Sequence, residues 1–398
     1  MDATLFFIVL IPVALSLAAK FLLRWDISWL EFAAQAVVGI VALSLIWAVG
    51  NMGKTADREV LNGAVISKAV DRERCYTNMP MPRVCSRSYD CNCYTVCTPT
   101  TDGKGNVTGQ SCQTYCDTCY RYPWEQDWKV NTNISSPFTI SRVDSQGAQE
   151  PPRYTRVNIG DPVSVTQRFK NWVKASSGTL FRDADSGLER YADLLPEYPI
   201  TITDYYHIDR IVTPNVRLKN EKVWNDTLSK KLATLGPKRE INAVFVFIEG
   251  QSGDYAYALR RKWDGFKQND AVVIIGLQKG ALDWVEVMSW SKNPLFDLQM
   301  RQAVEAYKGK SINEIAPQEV MDSFERVALA SFERRPMEDF EYLKGDIKPP
   351  AWLVWTSIIF AILIGGGTSY LFHRYDLDEA LFNRRSRSRY SSPFNRYY

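Results

Sequence analysis

The chain has 398 residues, a net charge of +3 at pH 7 and a mean hydropathy of −0.25. A chain of this length holds one or two ordinary domains in addition to membrane segments, and its mild polarity excludes a polytopic transporter. The near-neutral charge points to no particular partner, and two histidines, His207 and His373, make a histidine-based metal site unexpected.

Two apolar runs, 3–23 and 29–49, lie at the N-terminal end, and a third covers 351–372. Each contains about 20 residues, which at ~1.5 Å per residue matches a ~30 Å hydrocarbon core. We therefore predict three transmembrane helices. A cleaved signal peptide is the alternative for the first run, but no positive charge precedes it and a second span follows within a few residues.

All eight cysteines fall within residues 75–119. An even number of cysteines in a short, polar, turn-rich segment predicts a disulfide framework if the compartment is oxidising. Zinc is the alternative, because the C-x3-C and C-x2-C spacings in this segment approach those of zinc knuckles. The spacing assigns no pairs. The cysteines are Cys75, Cys85, Cys91, Cys93, Cys97, Cys112, Cys116 and Cys119.

The rest of the central region has helix and strand patterns. A helix is predicted over 163–175, and one face of it carries Val165, Phe169, Trp172 and Val173. From residue 198 onward, strands are predicted at 200–212, 241–248, 271–277 and 284–290, and helices at 219–235, 254–266, 296–307 and 317–332. Gly236-Pro237 is expected to stop the helix that precedes it. Apolar strands that alternate with helices predict an α/β domain with a mostly parallel sheet covered on both faces.

Three segments of this domain resemble the TPM domain. They are INAVFVFIE from Ile241, DYAYALRRKW from Asp254, and NDAVVIIG from Asn269. The resemblance covers about a quarter of the chain. It implies a membrane-tethered extracytoplasmic module, and some members of the family resemble acid phosphatases. The chain departs from the family after the third strand, where residues 289–293 replace a glycine-rich turn and an acidic residue, which argues against an inherited phosphatase or metal-binding role.

Basic residues near the helix ends set the predicted orientation. Lys20 and Arg24 lie in the loop between the first two helices, which shares one side of the membrane with the tail after the third helix. Both segments are therefore expected in the cytoplasm, with the N-terminus and the long region 50–350 outside. This orientation favours disulfides over zinc. The tail is expected to be unstructured and to bind anionic lipid, with nucleic acid the less favoured partner. Its lipid-binding candidates are Arg384, Arg385, Arg387 and Arg389.

The predicted fold class is a three-helix membrane protein with an α/β soluble domain and a small disulfide-rich segment. Its parts are a transmembrane hairpin (1–50), a cysteine-rich extracytoplasmic segment (51–130), a connecting region (131–197), an α/β extracytoplasmic domain (198–348), a third transmembrane helix (349–373) and a basic cytoplasmic tail (374–398).

The sequence holds no nucleophile elbow, Walker loop, zinc-protease motif or dinucleotide fingerprint. Asp254, Asp270 and Asp283 lie near the expected strand ends, where carboxylates bind cations. The alternative is that Asp254 caps a helix and the other two occupy turns. No catalytic residue and no cofactor is predicted, and His207 is interpreted as a structural or surface residue.

Two functional hypotheses follow. The first is a non-enzymatic scaffold or interaction module in a bacterial or bacteriophage-encoded cell envelope, with the bilayer and a protein outside the cytoplasm as partners. The second is a metal-dependent, phosphatase-like hydrolase built on the α/β domain. A pore made by oligomerising helices is a third hypothesis, and three helices without buried charge give it little support.

Overall fold

The structure is a computed structural model that describes residues 3–25, 27–75, 85, 88–101, 107–176, 189–204 and 207–374. The chain divides into two compact units. The helical unit comprises Met1–Asp57, Arg168–Ala184 and Met337–Tyr398. The sheet unit comprises Arg58–Gln167 and Asp185–Pro336.

The helices are α1 (Ala3–Phe21), α2 (Trp29–Thr55), α3 (Pro152–Arg156), α4 (Trp172–Ala175), α5 (Glu221–Arg239), α6 (Asp254–Lys262), α7 (Leu295–Glu305), α8 (Pro317–Ser331) and α9 (Ala351–Arg374). The strands are β1 (Ala56–Arg74), β2 (Ser88–Thr101), β3 (Val107–Tyr120), β4 (Trp124–Thr132), β5 (Phe138–Ile140), β6 (Pro162–Lys170), β7 (Ile211–Val212), β8 (Asn242–Glu249), β9 (Asp270–Gln278) and β10 (Ala281–Ser289). Short 3₁₀ segments cover Ala192–Leu194 and Met337–Asp346.

Within the described part of the chain, three helices are long and apolar enough to cross a membrane, namely α1, α2 and α9. This confirms the prediction of three helices of spanning length. α2 begins with a capping box, in which the Glu31 backbone N–H donates to Ser28 Oγ and the Ser28 backbone N–H donates to the Glu31 carboxylate. These reciprocal bonds satisfy two of the helix's initial N–H groups, so the sequence Ser-x-x-Glu fixes where α2 starts.

The helices of this bundle also share polar contacts. Gln35 Nε2 in α2 donates to the Gly365 carbonyl at 3.0 Å and to Ser369 Oγ at 3.4 Å in α9. Ser369 Oγ in turn donates to Ser16 Oγ in α1 at 3.3 Å. The side chains of Ser16, Gln35 and Ser369 are buried. Where water is scarce, such bonds between helices stabilise one arrangement of the bundle.

The first sheet of the sheet unit has the strand order β5-β4-β1-β6. β4 is antiparallel to both β1 and β5. The sheet's core includes Val65, Trp128 and Val163. The strands β1, β4 and β5 were not predicted from the sequence. The helix predicted over 163–175 is wrong, because most of that segment pairs with β1 as β6. Only the four residues of α4 are helical there. Pairing with a neighbouring strand outweighs a helical spacing of apolar residues.

The second sheet has the order β10-β9-β8-β7. β8 is parallel to β7 and β9, but β10 is antiparallel to β9. Two of the three strand pairs in this sheet are parallel, but the antiparallel pairs of the first sheet make the prediction of a mostly parallel sheet wrong for the soluble region. Lys279 and Gly280, with φ of 53° and 74°, form the two-residue hairpin between β9 and β10, and so short a connection requires antiparallel strands. The predicted strand over 200–212 is reduced to the two residues of β7.

The order β7-α5-β8-α6-β9-β10-α7 agrees with the predicted element order, and helices cover both faces of this sheet. Trp224 of α5, Phe296 of α7 and Phe324 of α8 pack on one face, and Tyr255 and Leu259 of α6 pack on the other. The strand residues alternate between these two cores. Burial on both faces is the physical reason why β8 and β9 are apolar almost throughout.

The predicted end of α5 at Gly236-Pro237 is wrong, since the helix continues to Arg239. It ends at Glu240, which has a φ of 52° and donates its N–H to the Gly236 carbonyl. Gly236 instead permits a close approach to β1. A Cβ at this position would lie 1.9 Å from the backbone oxygen of Asn62. The glycine therefore serves packing rather than helix termination.

Candidate functional site

The three acidic candidates do not lie together. In the parallel pair β8–β9, Asn242 is opposite Asp270 and Glu249 is opposite Leu277. Asp270 therefore lies where these strands begin, whereas Asp254 follows the end of β8. Asp283 is exposed in β10. Its neighbour Leu282 is opposite Leu277, so Asp283 lies near the end of β9 that is far from Asp270. At ~3.3 Å per residue, Asp270 and Leu277 are about 23 Å apart along the strand.

Asp270 is completely buried and its carboxylate accepts several hydrogen bonds. The Tyr198 hydroxyl lies 2.8 Å from Oδ1 and 2.9 Å from Oδ2, Asn242 Nδ2 donates to Oδ1 at 3.0 Å, and the Lys267 backbone N–H donates to Oδ2 at 2.8 Å. Burial raises the pKa of Asp270, and these hydrogen bonds oppose the rise. Both oxygens are thus engaged by protein donors, as in a buried structural carboxylate.

A buried arginine extends this network. Arg210 is 1% exposed, and its Nε donates to Asn242 Oδ1 at 3.2 Å. Its Nη2 donates to Asn62 Oδ1 at 2.5 Å and to Ser164 Oγ at 2.7 Å. Burial lowers the pKa of Arg210 to about 10. Because Asn62 lies in β1, Ser164 in β6 and Asn242 in β8, the guanidinium cross-links the first and second sheets of the sheet unit.

Arg210 was not predicted as a site residue from the sequence. It lies within the run of β-branched and aromatic residues that predicted a strand. A single arginine in such a run was the one feature of the sequence that could have indicated a buried charge. Buried charges in proteins are paired or hydrogen-bonded, but the sequence does not show which distant amides and hydroxyls supply the partners. Asn62 and Asn242 are separated by 180 residues and meet only in the fold.

A cleft of about 240 Å³ is lined by residues of β10 and its neighbouring helices. Its polar wall includes Arg260, Glu286 and Asp297, and its apolar wall includes Tyr257 and Trp290. Ser289 Oγ donates to Asp297 Oδ1 at 2.7 Å. Burial, with the nearby Glu286 charge as a smaller contribution, raises the pKa of Asp297. A carboxyl group that stays protonated to higher pH inside a cleft is able to donate a proton or a hydrogen bond to a ligand.

Asp297 was also not predicted as a site residue from the sequence. The residue lies in the first turn of α7, where an aspartate is normally interpreted as favourable to the helix dipole. Its functional potential depends on Glu286 of β10 and Arg260 of α6, which are distant in sequence. Glu286 itself forms an ion pair with Arg301. The cleft therefore combines charges of both signs.

All eight cysteines form disulfides, which confirms the predicted framework. The pairs are Cys75–Cys85, Cys91–Cys119, Cys93–Cys116 and Cys97–Cys112. The last three join β2 to β3, and these antiparallel strands form a two-stranded sheet of their own, which we call the ribbon. No side chain described in the ribbon is buried. A two-stranded sheet is marginally stable alone, so its cross-links replace a hydrophobic core.

Strand alternation gives the ribbon two different faces. The cystine face carries Cys93–Cys116 and Cys97–Cys112, with the hydroxyls of Thr95 and Thr114 at 3.0 Å from each other between them. The tyrosine face carries Tyr94 stacked on Tyr115 with ring centroids 5.8 Å apart, and Val96. These three side chains are between 43% and 61% exposed. The described ribbon contains two aspartates, Asp90 and Asp117, and no basic residue.

The remaining predicted residues give no further site. His207 Nε2 lies 2.9 Å from Asp209 Oδ1 at the surface, which agrees with a structural or surface role. Arg384, Arg385, Arg387 and Arg389 lie outside the described residues. Among the residues that the structure describes, no group of three or more histidine, cysteine, aspartate or glutamate side chains is placed to hold a metal ion.

Comparisons with protein-family models, with curated proteins and with solved structures found no match to this chain. The resemblance to the TPM domain therefore stays a prediction.

Proposed function

We propose that this protein is a membrane-anchored, non-enzymatic interaction protein that presents the ribbon to a protein partner outside the cytoplasm. The ribbon is the observation that carries the proposal. Its strands have no described buried side chain, yet three disulfides fix them in one register. A rigid, exposed segment that contributes no core is better suited to recognition than to stability.

The tyrosine face is the part of the ribbon that fits a protein partner best. Tyrosine is enriched in protein interfaces, because it offers a large contact area and a hydroxyl group at a low cost in conformational entropy. Stacking of Tyr94 on Tyr115 and the 2.9 Å bond from the Tyr115 hydroxyl to Gln113 Oε1 hold these rings in place before binding. Preorganisation of this kind increases affinity by reducing the ordering cost of association.

The arrangement along the chain supports the anchoring part of the proposal. The sheet unit lies in sequence between α2 and α9. If all three helices span the bilayer, the sheet unit lies on the same side as the N-terminus. The basic residues in the sequence of the α1–α2 loop and of the tail support a cytoplasmic location for the other side. An oxidising compartment is then the one in which the ribbon disulfides form.

A photo-crosslinking experiment on the full chain tests this function. A photoreactive amino acid at Tyr94 or Tyr115 is expected to yield one discrete protein adduct in membranes of the host. The same group at Thr95 or Thr114, on the cystine face of the same strand pairs, is the matched control and is expected to yield little of it. Equal adducts from both faces, or none from the tyrosine face, would contradict the proposal.

The alternative function is a phosphatase-like hydrolase, and the cleft beside Asp297 is the observation that supports it. The three carboxylates first considered for metal binding are separated, so Asp297 is the better acid candidate. The assay measures hydrolysis of a generic phosphate ester by the full chain, with and without Ca²⁺ or Mg²⁺. If the full chain hydrolyses the ester and Asp297→Asn abolishes this activity, the hydrolase function would replace the interaction function.

A further inference from the structure

The ribbon has two outer edges, because among the residues that the structure describes each of its strands pairs only with the other. The N–H and C=O groups along an outer edge point away from the sheet and are able to pair with a further strand. Proteins usually protect such edges with prolines, bulges or charged side chains. The outer edges of β2 and β3 differ in this protection.

The outer edge of β2 is interrupted twice. Asn92 has a φ of 49°, and the register with β3 shifts between Cys91 and Tyr94, as it does at a β-bulge. Pro99 lies inside the strand and has no N–H group. These two interruptions limit any strand that pairs with the outer edge of β2 to short stretches.

The register also identifies the residues of β3 whose backbone groups point outward. Opposite residues in antiparallel strands alternate between hydrogen-bonded pairs, with Cα atoms ~5.5 Å apart, and non-hydrogen-bonded pairs at ~4.5 Å, whose N–H and C=O groups point away from each other. The Cα atoms of Cys97 and Cys112, which are opposite residues, are 4.0 Å apart, as in a non-hydrogen-bonded pair. Pro99 is opposite Gln110, and a proline is compatible only with such a pair. Gln110, Cys112 and Thr114 therefore point their backbone groups outward.

The outer edge of β3 lacks the protections found in β2. From Gly109 to Tyr120 the sequence has no proline and one charged residue, Asp117. The extra residue at the bulge belongs to β2, so β3 stays regular over this stretch. Within the described part of the chain, no backbone hydrogen bond joins Gln110 or Thr114 to a residue outside the ribbon. β3 therefore offers a continuous edge to another strand.

We propose that β3 pairs with β3 of a second copy of this chain, antiparallel and about a two-fold axis, to form a four-stranded sheet. An antiparallel pair of identical strands is self-complementary, so the assembly closes at two copies. The protected edges of β2 then become the outer edges of the larger sheet, where they stop further pairing. The pairing uses backbone groups at the edge, so the tyrosine face of each copy stays exposed. The dimer does not depend on the proposed protein partner.

The charge and the length of the edge agree with a second copy as the occupant. With Thr114 opposite its own copy, Asp117 of one chain is opposite Ser111 of the other, so no like charges face each other. At ~3.4 Å per residue the stretch is about 40 Å long, and a layer thickness of ~10 Å gives about 400 Å² of contact on each copy. An interface of this size is at the lower end for specific complexes, so we expect a reversible dimer held mainly by backbone hydrogen bonds.

Sedimentation equilibrium of the full chain in density-matched detergent measures the dissociation constant of the dimer. The wild type is expected to have a constant on the order of 10 µM, as for a small interface. Thr114→Pro removes one outward N–H group from each copy. It is expected to raise the dissociation constant about tenfold or more, because two hydrogen bonds are lost per dimer.

Thr95→Pro is the matched control. Thr95 is opposite Thr114, and their hydroxyls are 3.0 Å apart, so either change removes the same contact between the strands. Both changes also remove an outward N–H group, and they differ only in which edge loses it. Thr95→Pro is therefore expected to leave the dissociation constant unchanged. Oxidation of all eight cysteines, measured by mass spectrometry, checks that each variant keeps the ribbon.

A second pair of variants covers the case in which proline disrupts the ribbon. Thr114→Lys keeps every N–H group but places two like charges opposite each other across the proposed axis, so it is also expected to weaken the dimer, whereas Thr95→Lys is not. A wild type that is monomeric at about 100 µM overturns the proposal. So do equal effects of the Thr114 and Thr95 variants, or a loss with the Thr95 variants alone, which would assign the contact to β2. The crosslinking test of the ribbon's partner has a separate readout, so failure of either proposal is recognised independently.

Discussion

Asn242 and Asp270 are opposite each other at the first paired position of β8 and β9, and the Asn242 amide donates a 3.0 Å hydrogen bond to the Asp270 carboxylate. The oxygen of the same amide accepts from Arg210 Nε at 3.2 Å. The neutral side chain of Asn242 therefore connects the buried cation Arg210 to the buried anion Asp270. This connection makes Asn242 the most informative position for a stability test.

Asn242→Leu is expected to destabilise the sheet unit by about 3 kcal/mol, because it leaves both charged partners buried with fewer hydrogen bonds. Urea unfolding of the detergent-solubilised chain, followed by tryptophan fluorescence, measures the free energy of unfolding. Asn158→Leu is the control at an exposed position, where a change within about 0.5 kcal/mol is expected. A loss of the same size in the two variants would show that the network does not act as described.

Asp297 predicts a pH dependence of stability. Its pKa in the folded chain is raised above the ordinary value of 3.8, so the folded state binds the proton more tightly than the unfolded state. The stabilisation from the protonated carboxyl is complete below pH 3.8 and is lost as the pH rises through the folded pKa. Relative to Asp297→Asn, the wild type is therefore expected to lose free energy of unfolding as the pH rises from 4 to 7. A pH-independent difference would refute the raised pKa.

Gly236→Ala is expected to destabilise the sheet unit by about 1 to 3 kcal/mol, since the new Cβ would meet the Asn62 backbone oxygen and force one of two packed backbones to move. Gly253→Ala is a matched control, because a Cβ there meets nothing within 4 Å and its φ is −56°. Melting temperatures of the two variants, measured together with the wild type, provide the comparison. Similar temperatures for both variants would contradict the close approach of α5 and β1.

Gly365→Ala and Gly366→Ala are neighbouring substitutions with different expected effects on the helical unit. A Cβ at Gly365 would lie 2.9 Å from Pro12 Cα, whereas a Cβ at Gly366 would meet nothing within 4 Å. The first change is expected to separate α1 from α9 and lower the melting temperature in detergent, and the second to have little effect. A larger effect at Gly366 would mean that the opposite face of α9 forms the important contact.

The proposed orientation predicts how the cysteines respond in intact cells. After reduction of the four disulfides, a thiol reagent that cannot cross the membrane is expected to label the cysteine segment, because the segment lies outside the cytoplasm. A permeant reagent is the control for complete reduction. Labelling by the permeant reagent alone would place the segment in the cytoplasm and would favour zinc over disulfides in the cell.

Local patterns in the sequence were sufficient for the features that depend on local physics. The length and apolarity of 3–23, 29–49 and 351–372 identified α1, α2 and α9, because spanning a bilayer is a property of one continuous segment. The alternation of apolar strands with helices identified the order from β7 to α7. An even set of clustered cysteines indicated disulfides but not their partners.

Long-range packing decided the rest. The first sheet assembles strands from residues 56–170, and β6 overrides a helical apolar spacing because its backbone groups pair with β1. Asp270 was one of three acidic candidates in the sequence, but its position at the start of β9 buries it and separates it from Asp254 and Asp283. Asn62, Arg210 and Asn242 form one network only after two sheets pack together. The sequence alone therefore identified the three helices of membrane-spanning length and the cysteine framework. The tertiary structure determined which charges are buried and which side chains the ribbon exposes, because both depend on contacts between distant residues.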